Sequence, residues 1–269
     1  MGHDHTGHAA SSAGWVLFEI AAVVVLLAAA LAYGVALWAA RERSPWPLRR
    51  TLFWYTGLVS VGVGIAGPLA QAAHASFTAH MAAHLLLGMT GPLLLVLGAP
   101  ITLALRALPV AGARALTRIL RTPYVRVVTH PAVAALLNAG GLWLLYTTPL
   151  YTLMHESVMV HAMVHVHIVL AGYLFTASLI GPDPDPNRSS MAVRSVVLIA
   201  FIAAHSVLGK WLYAYPPAGV DAADARRGAQ LMYYGGDVVD VLIIVLLFAG
   251  WYAATRPRHG LQPAHATGA

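Results

Sequence analysis

The stretch FTAHMAAHLLLGMTGPLLLVLG, residues 77–98, places two histidines in a segment otherwise apolar enough to cross a membrane. Its length suffices, because about 20 helical residues cross roughly 30 Å of hydrocarbon. His80 and His84 are four residues apart, so a helix directs both imidazoles from one face. Polar side chains within a bilayer are costly and usually face the interior of a helix bundle. The stretch therefore predicts a membrane-spanning helix that carries part of a functional site.

A second apolar stretch, residues 153–180, repeats this pattern with His161 and His165. A single histidine in a membrane is more often a hydrogen-bonding partner between helices than a metal ligand. Two pairs at helical spacing make that structural interpretation less convincing for the set, and they favour a metal site.

Composition assigns the rest of the chain to the membrane as well. Of its 269 residues, 59% are apolar and 10% are charged, against about 25% charged in a typical soluble domain. Cysteine is absent, which excludes disulfides and thiolate metal sites. The apolar stretches predict an all-α, multi-pass protein of the plasma membrane with seven transmembrane helices. These lie near residues 15–40, 52–73, 77–98, 129–147, 153–180, 191–213 and 229–254.

The basic residues predict the orientation of this bundle. If the N-terminus is outside and the C-terminus inside, only Lys210, Arg226 and Arg227 of all the Lys and Arg lie on the outer side. The net charge of +6 then needs no nucleic-acid partner. Between the third and fourth spans, residues 101–122 alternate Leu and Ile with Arg, which predicts an amphipathic helix on the cytoplasmic membrane surface.

The chain divides accordingly into three segments. Residues 1–14 form a His-rich extracytoplasmic tail, residues 15–255 the seven-helix domain, and residues 256–269 a cytoplasmic tail. The His-rich tail could capture a metal ion, or it could be a solvated, disordered segment.

Depth within the membrane brings the polar residues together. At about 1.5 Å of rise per residue, both histidine pairs lie in the outer half of the bundle. The sixth and seventh spans contribute polar residues at a similar depth. The candidate metal ligands are His80, His84, His161, His165, His205 and Asp237, with Asp237 either a ligand or a partner of one.

Other polar residues have plainer interpretations. Asp237 and Asp240 could instead pair with nearby cations, namely Lys210, Arg226 and Arg227. His167 faces away from His165 on its helix, and His130 precedes Pro131 at the cytoplasmic end, so both are predicted to be structural.

The donor set favours copper, without excluding other ions. Imidazole binds Zn, Cu, Fe and Ni, whereas thioether favours Cu(I). Methionines are distributed around the same layer, at positions 81, 154, 159, 163 and 232.

The sequence also resembles the CtaG family, assembly factors for caa-type cytochrome c oxidase, over roughly residues 50–255. The resemblance rests on a set of motifs: HMAAHLLL (80–87), GPLLLVLGAP (91–100), TPLY (148–151), HAMVH (161–165), GPDPDP (181–186), AHSVLG (204–209) and, more loosely, QLMYYGGD (230–237). It implies a non-enzymatic role in maturing the oxidase, with oxidase subunits as partners and copper handled on the outer side of the membrane. Asp237 corresponds to the acidic position of the family's last span.

Two further classes of function stay open from the residues alone. Histidines on facing helices could be axial ligands of a haem in a redox protein. The same His and Asp cluster could instead serve a membrane metalloenzyme. A copper transporter is less favoured, because no polar residues continue through the cytoplasmic half of the bundle.

Overall fold

The computed structural model describes residues 5–43 and 45–256, and all regular secondary structure in those residues is helical. This confirms the all-α class. The helices are α1 (His5–Ala40), α2 (Leu48–Ile65), α3 (Pro68–Ala73), α4 (Phe77–Leu85), α5 (Gly91–Leu97), α6 (Pro100–Ala107), α7 (Val110–Leu120), α8 (Pro123–Val128), α9 (Pro131–Thr147), α10 (Leu150–Glu156), α11 (Val158–Ile180), α12 (Met191–Ala214) and α13 (Ala222–Thr255). A π-helical turn (Leu86–Thr90) joins α4 to α5. Of the two predicted tails, residues 1–4 and 257–269 lie outside the described residues.

Several of these helices are long and apolar enough to cross a membrane. Within the described residues there are five, Gly14–Ala40, Phe77–Ala107, Val158–Ile180, Met191–Ala214 and Ala222–Thr255. A sixth results if α9 and α10, which are bent by 80° relative to each other, act as one span. The chain is therefore a multi-pass helical membrane protein, and the count of seven spans stays a prediction.

The second predicted span, residues 52–73, is not one continuous helix. Helix α2 ends at Ile65, and α3 begins at Pro68. Between them Gly67 has φ 85°, a left-handed conformation that few residues other than glycine adopt. The fifth span also begins later than residue 153, because Ser157 caps α11 by accepting a hydrogen bond from the Val160 amide (3.4 Å).

The third span carries its irregularity in the middle. Pro92 lacks an amide hydrogen, so the helix preceding it cannot keep regular hydrogen bonding. The π-helical turn absorbs this, and the Gly91 amide bonds to the carbonyl of Leu86, five residues back. The chain then continues through α5 to Gly98, so His80 and His84 lie on a helix that runs on across the bundle.

The predicted amphipathic segment, residues 101–122, forms two helices. α6 and α7 are separated at Leu108 and Pro109, and α7 has no buried residue. Asp183, in the loop after α11, fixes the start of α6 by accepting hydrogen bonds from the Thr102 amide (2.7 Å) and the Ile101 amide (3.2 Å). Whether these helices lie on the membrane surface stays a prediction.

Helix α4 is attached at its first turn to α13. Asp224 accepts hydrogen bonds from the Phe77 amide (2.6 Å) and from the hydroxyl groups of Thr78 (2.6 Å) and Ser76 (3.3 Å). A carboxylate here satisfies a helix amide that would otherwise lack a partner. The contact fixes the end of the helix on which His80 and His84 lie.

Replacing Asp224 by Ala is expected to destabilise the protein by about 2 kcal/mol, because it removes charge-assisted bonds to the start of α4. Thermal unfolding in detergent measures the change. Glu42→Ala is the control, since Glu42 forms only an exposed ion pair with Arg41 (3.4 Å), which contributes little. Equal unfolding temperatures for the two variants would contradict the anchoring role.

Candidate metal centre

A small cavity of about 30 Å³ lies among α4, the N-terminal half of α11 and the neighbouring parts of α1, α2, α3 and α10. That volume is enough for a water molecule or a single ion. Six histidines line it, together with Trp15, Phe18, Glu19 and Met154. The histidines are His74, His80, His84, His155, His161 and His165.

Helix α4 contributes two buried imidazoles with different partners. Nε2 of His80 lies 2.9 Å from the hydroxyl oxygen of Tyr146, which also lies 4.0 Å from the sulfur of Met81. This contact uses Nε2 of His80, so Nδ1 is the nitrogen of His80 that is not engaged by Tyr146. His84 is 3% exposed, and neither of its ring nitrogens has a hydrogen-bond partner among the described residues.

Helix α11 contributes a stacked pair, with the ring centroids of His161 and His165 4.0 Å apart. Nδ1 of His165 lies 2.9 Å from the carbonyl oxygen of His161. A carbonyl only accepts, so Nδ1 carries the hydrogen and Nε2 keeps a lone pair. Nδ1 of His161 is buried and has no partner among the described residues. Trp15 and Phe18 of α1 pack against the ring of His161.

Two cavity histidines, His74 and His155, were not among the sequence-derived candidates. Nδ1 of His155 lies 2.8 Å from the carbonyl of Tyr151, which again leaves Nε2 free. His74 is exposed at the rim, 5.5 Å from His161 between ring centroids. Although His74 is exposed, neighbouring groups remove part of the water around its ring, and this desolvation lowers its pKa. The charge interaction with His155 lowers the pKa further, and Glu19 opposes the change. The neutral imidazole, which binds metals, is thereby favoured.

His205 extends the cluster away from the cavity. Its ring on α12 stacks on His84 with centroids 6.3 Å apart, and its Nε2 has no partner among the described residues. Gly236 of α13 permits this position, because a Cβ there would lie 2.5 Å from Cε1 of His205. His205 therefore neighbours His84 but does not line the cavity.

The two aspartates of α13 differ in their surroundings. Asp237 is half-buried and does not line the cavity, whereas Asp240 is 2% exposed and neither carboxylate oxygen has a described partner. Neither forms an ion pair within the described ranges. The cations that could have paired with them lie elsewhere: Lys210 and Arg226 over Tyr233 and Tyr213, and Arg227 beside Asp224.

The two histidines predicted to be structural have structural partners. The ring of His167 donates from Nε2 to the carbonyl of Leu137 (2.9 Å). His130 caps α9 by accepting a hydrogen bond at Nδ1 from the Ala132 amide (3.3 Å). Among the methionines, Met81, Met154 and Met232 are buried, while Met159 and Met163 are exposed.

The spacing of the rings bears on what the cluster can hold. Imidazole nitrogens lie about 2.0 Å from a bound ion, so two rings that share one have centroids roughly 5–6 Å apart. The pairs His74–His161 at 5.5 Å and His80–His155 at 6.0 Å have that separation. No three His, Asp or Glu side chains in the described part of the chain are already arranged as a complete ligand set. Binding would require rotation of imidazoles toward the cavity.

Comparison with known proteins shows which family this chain belongs to. The chain matches the family described as cytochrome c oxidase caa3 assembly factor (Caa3_CtaG) over residues 31–254. It is 31% identical over 268 residues to uncharacterized proteins of Mycobacterium bovis and Mycobacterium tuberculosis, covering 92% of this chain and 40% of each relative.

An uncharacterized protein of Mycobacterium leprae is 30% identical over 233 residues, covering 78% of this chain and 35% of that relative. The chain thus spans well under half the length of these curated relatives. No solved structure matches it. The family match covers most of the sequence, including all the cavity histidines, and the chain belongs to the cytochrome c oxidase caa3 assembly factors.

Proposed function

We propose that this protein assists the assembly of cytochrome c oxidase by holding copper in the histidine-lined cavity and passing it to oxidase subunits. The observation that carries the proposal is the convergence of six histidines on one small cavity. Copper is the cargo of such a protein, and the protein itself performs no chemical conversion.

The hydrogen bonds around the cavity support metal binding. Metal-ligating histidines usually donate their second ring nitrogen to a carbonyl or carboxylate, which orients the ring. His155 and His165 already donate from Nδ1 to backbone carbonyls. The unpartnered nitrogens of His84 and His161 are costly when buried, and an ion would give them a partner. Copper is favoured because the chain has no cysteine and Met154 adds a thioether to the lining.

The histidines also form a gradient of exposure. His74 is exposed, His155 and His161 are half-buried, and His80 and His84 are buried. An ion could enter at His74 and move inward by exchanging one imidazole for the next. His205, stacked on His84, is the inner end of this series. Asp237 or the buried Asp240 would act there as a further ligand or as a partner of a ligand.

The proposed topology places this entrance outside the cell. Counting α2 with α3 as one broken span and α9 with α10 as another gives seven spans. The distribution of arginines then puts the N-terminus outside the plasma membrane and the C-terminus inside. Copper would be received and released on the outer side.

Cavity size argues against the haem alternative. Sites for ligands of drug size or larger occupy about 300 Å³ or more, whereas this cavity measures about 30 Å³. An ion fits without rearranging the helices, and a porphyrin does not.

Metal analysis of the purified full chain tests the proposal. After growth with copper, we expect about one or two copper ions per chain, since six imidazoles can supply three or four ligands to each ion. The optical spectrum should show no haem Soret band. A metal-free protein, or one that retains only zinc when copper is supplied, would refute copper handling. Oxidase from cells lacking the protein should be depleted in copper.

A further inference from the structure

A groove lined by arginines lies at the opposite end of the bundle from the histidines. It measures about 800 Å³ and is bordered by α7, the C-terminal part of α6 and the end of α1. Arg114, Arg118 and Arg121 come from one face of the α7 region, being four and three residues apart. Arg43 lines the groove from the chain segment that follows α1. These four residues define the arginine groove.

The charge of the arginine groove has no acidic counterpart in the part of the chain that the structure describes. The sequence contains no Asp or Glu between Glu42 and Glu156. Both ion pairs found among the described residues involve other arginines. Asp183 and Asp185, in the loop after α11, accept hydrogen bonds from Thr102 and Asn187. Four exposed guanidinium groups in one groove therefore have no carboxylate partner within residues 5–43 and 45–256.

Backbone contacts fix one wall of the groove. The guanidinium of Arg43 donates to the carbonyl oxygens of Arg106 and of Leu108 (3.3 Å), at the end of α6. Carbonyls at a helix C-terminus lack intrahelical partners and carry partial negative charge, so this contact is favourable. It joins α1 to α6 and positions Arg43 beside the α7 arginines.

The surroundings of the arginine groove indicate the depth of a membrane interface. Trp46 has two guanidinium groups over its ring, those of Arg50 at 5.0 Å and Arg106 at 5.2 Å from the ring centroid. The guanidinium carbon of Arg41 lies 4.4 Å from the ring centroid of Trp38. Tryptophan paired with arginine is typical of the boundary between hydrocarbon and headgroups. The groove itself combines its cations with the apolar side chains of Leu105, Leu108 and Val110.

We propose that the arginine groove binds an anionic phospholipid of the bilayer, with the phosphate at Arg114 and Arg118 and acyl carbons along the leucines. Guanidinium groups match phosphate oxygens through paired hydrogen bonds. A lipid, unlike a free anion, would also cover the apolar wall. This explains why cationic and apolar side chains occur together in one groove.

Binding of fluorescent phosphatidylglycerol to the delipidated full chain in detergent tests this. We expect Arg114→Gln with Arg118→Gln to weaken binding about tenfold or more. The matched control is Arg49→Gln with Arg256→Gln, which removes the same charge from exposed positions outside the groove and should leave affinity unchanged. Circular dichroism should show both variants folded, because all four side chains are exposed.

Three outcomes would overturn the proposal. Phosphatidylcholine could bind as tightly as phosphatidylglycerol, which would show that the groove does not select anionic lipids. Both double variants could weaken binding to the same extent, which would show that the net charge of the protein determines the affinity. Inorganic phosphate could displace the lipid at equal concentration, which would make the groove a site for free anions.

Discussion

Replacing both His80 and His84 by Ala is expected to remove nearly all copper from the purified protein while expression in the membrane is retained. These two imidazoles are buried on one face of α4, and both line the cavity. Their loss removes one member of the His80–His155 pair, and the remaining His74–His161 pair supplies only two of the three or four ligands that an ion needs. Copper content per chain, measured after gel filtration, gives the result. Unchanged copper content would refute the assignment of His80 and His84.

A matched histidine control lies on α11. His167→Ala removes an imidazole that donates to the carbonyl of Leu137 and lies outside the cavity. It should keep its copper and lose about 1 kcal/mol of stability with that hydrogen bond. Copper loss in this variant equal to that of the α4 double variant would show that general destabilisation causes the effect.

His84→Leu separates metal binding from packing. A buried imidazole without hydrogen-bond partners costs free energy, so an apolar residue of similar volume should leave the apoprotein as stable or more stable. Copper affinity should fall in the same variant. A structural His84 would give the opposite combination, with lower stability and unchanged copper.

The sequence predicted the part of the site that lies on regular helices. Spacing of four residues within apolar stretches identified His80 with His84 and His161 with His165, because helix geometry alone puts each pair on one face. His74 and His155 could not be identified in this way. Their positions depend on the break at Gly67 and on the 80° bend between α9 and α10, where no helical periodicity exists. Several histidines close together on the outer side were the available signal.

Contacts between distant parts of the chain could not be predicted from the sequence either. Asp224 caps α4 across 147 residues of sequence, and Asp183 caps α6 across 81. In the sequence, each is one polar residue in a loop or a first helical turn, and nothing near it in the chain identifies the helix that it caps. Asp240 illustrates the same limit, since the sequence places it on one face with Asp237 but only packing shows that Asp240 is the buried one. Long-range packing decides such assignments.

Gly172→Ala is expected to destabilise the protein by about 3 kcal/mol and to lower its copper content together with its stability. Gly172 of α11 lies against the π-helical turn, where a Cβ would overlap the carbonyl oxygen of Gly88 and lie 3.0 Å from Cγ of Pro92. A backbone carbonyl cannot rotate aside as a side chain can. Because α11 and the helix containing this turn carry the two histidine pairs, separating them widens the cavity.

Thermal unfolding in detergent and copper analysis of the same samples measure this effect. Gly250→Ala in α13 is the control, since no atom lies within 4 Å of the new Cβ. That variant should be neutral or stabilised by up to about 1 kcal/mol, because Ala favours helix more than Gly does. If Gly172→Ala unfolds at the same temperature as Gly250→Ala, α11 has room to move away from the turn. The close approach of Gly172 to Gly88 would then not be what holds the two histidine pairs together.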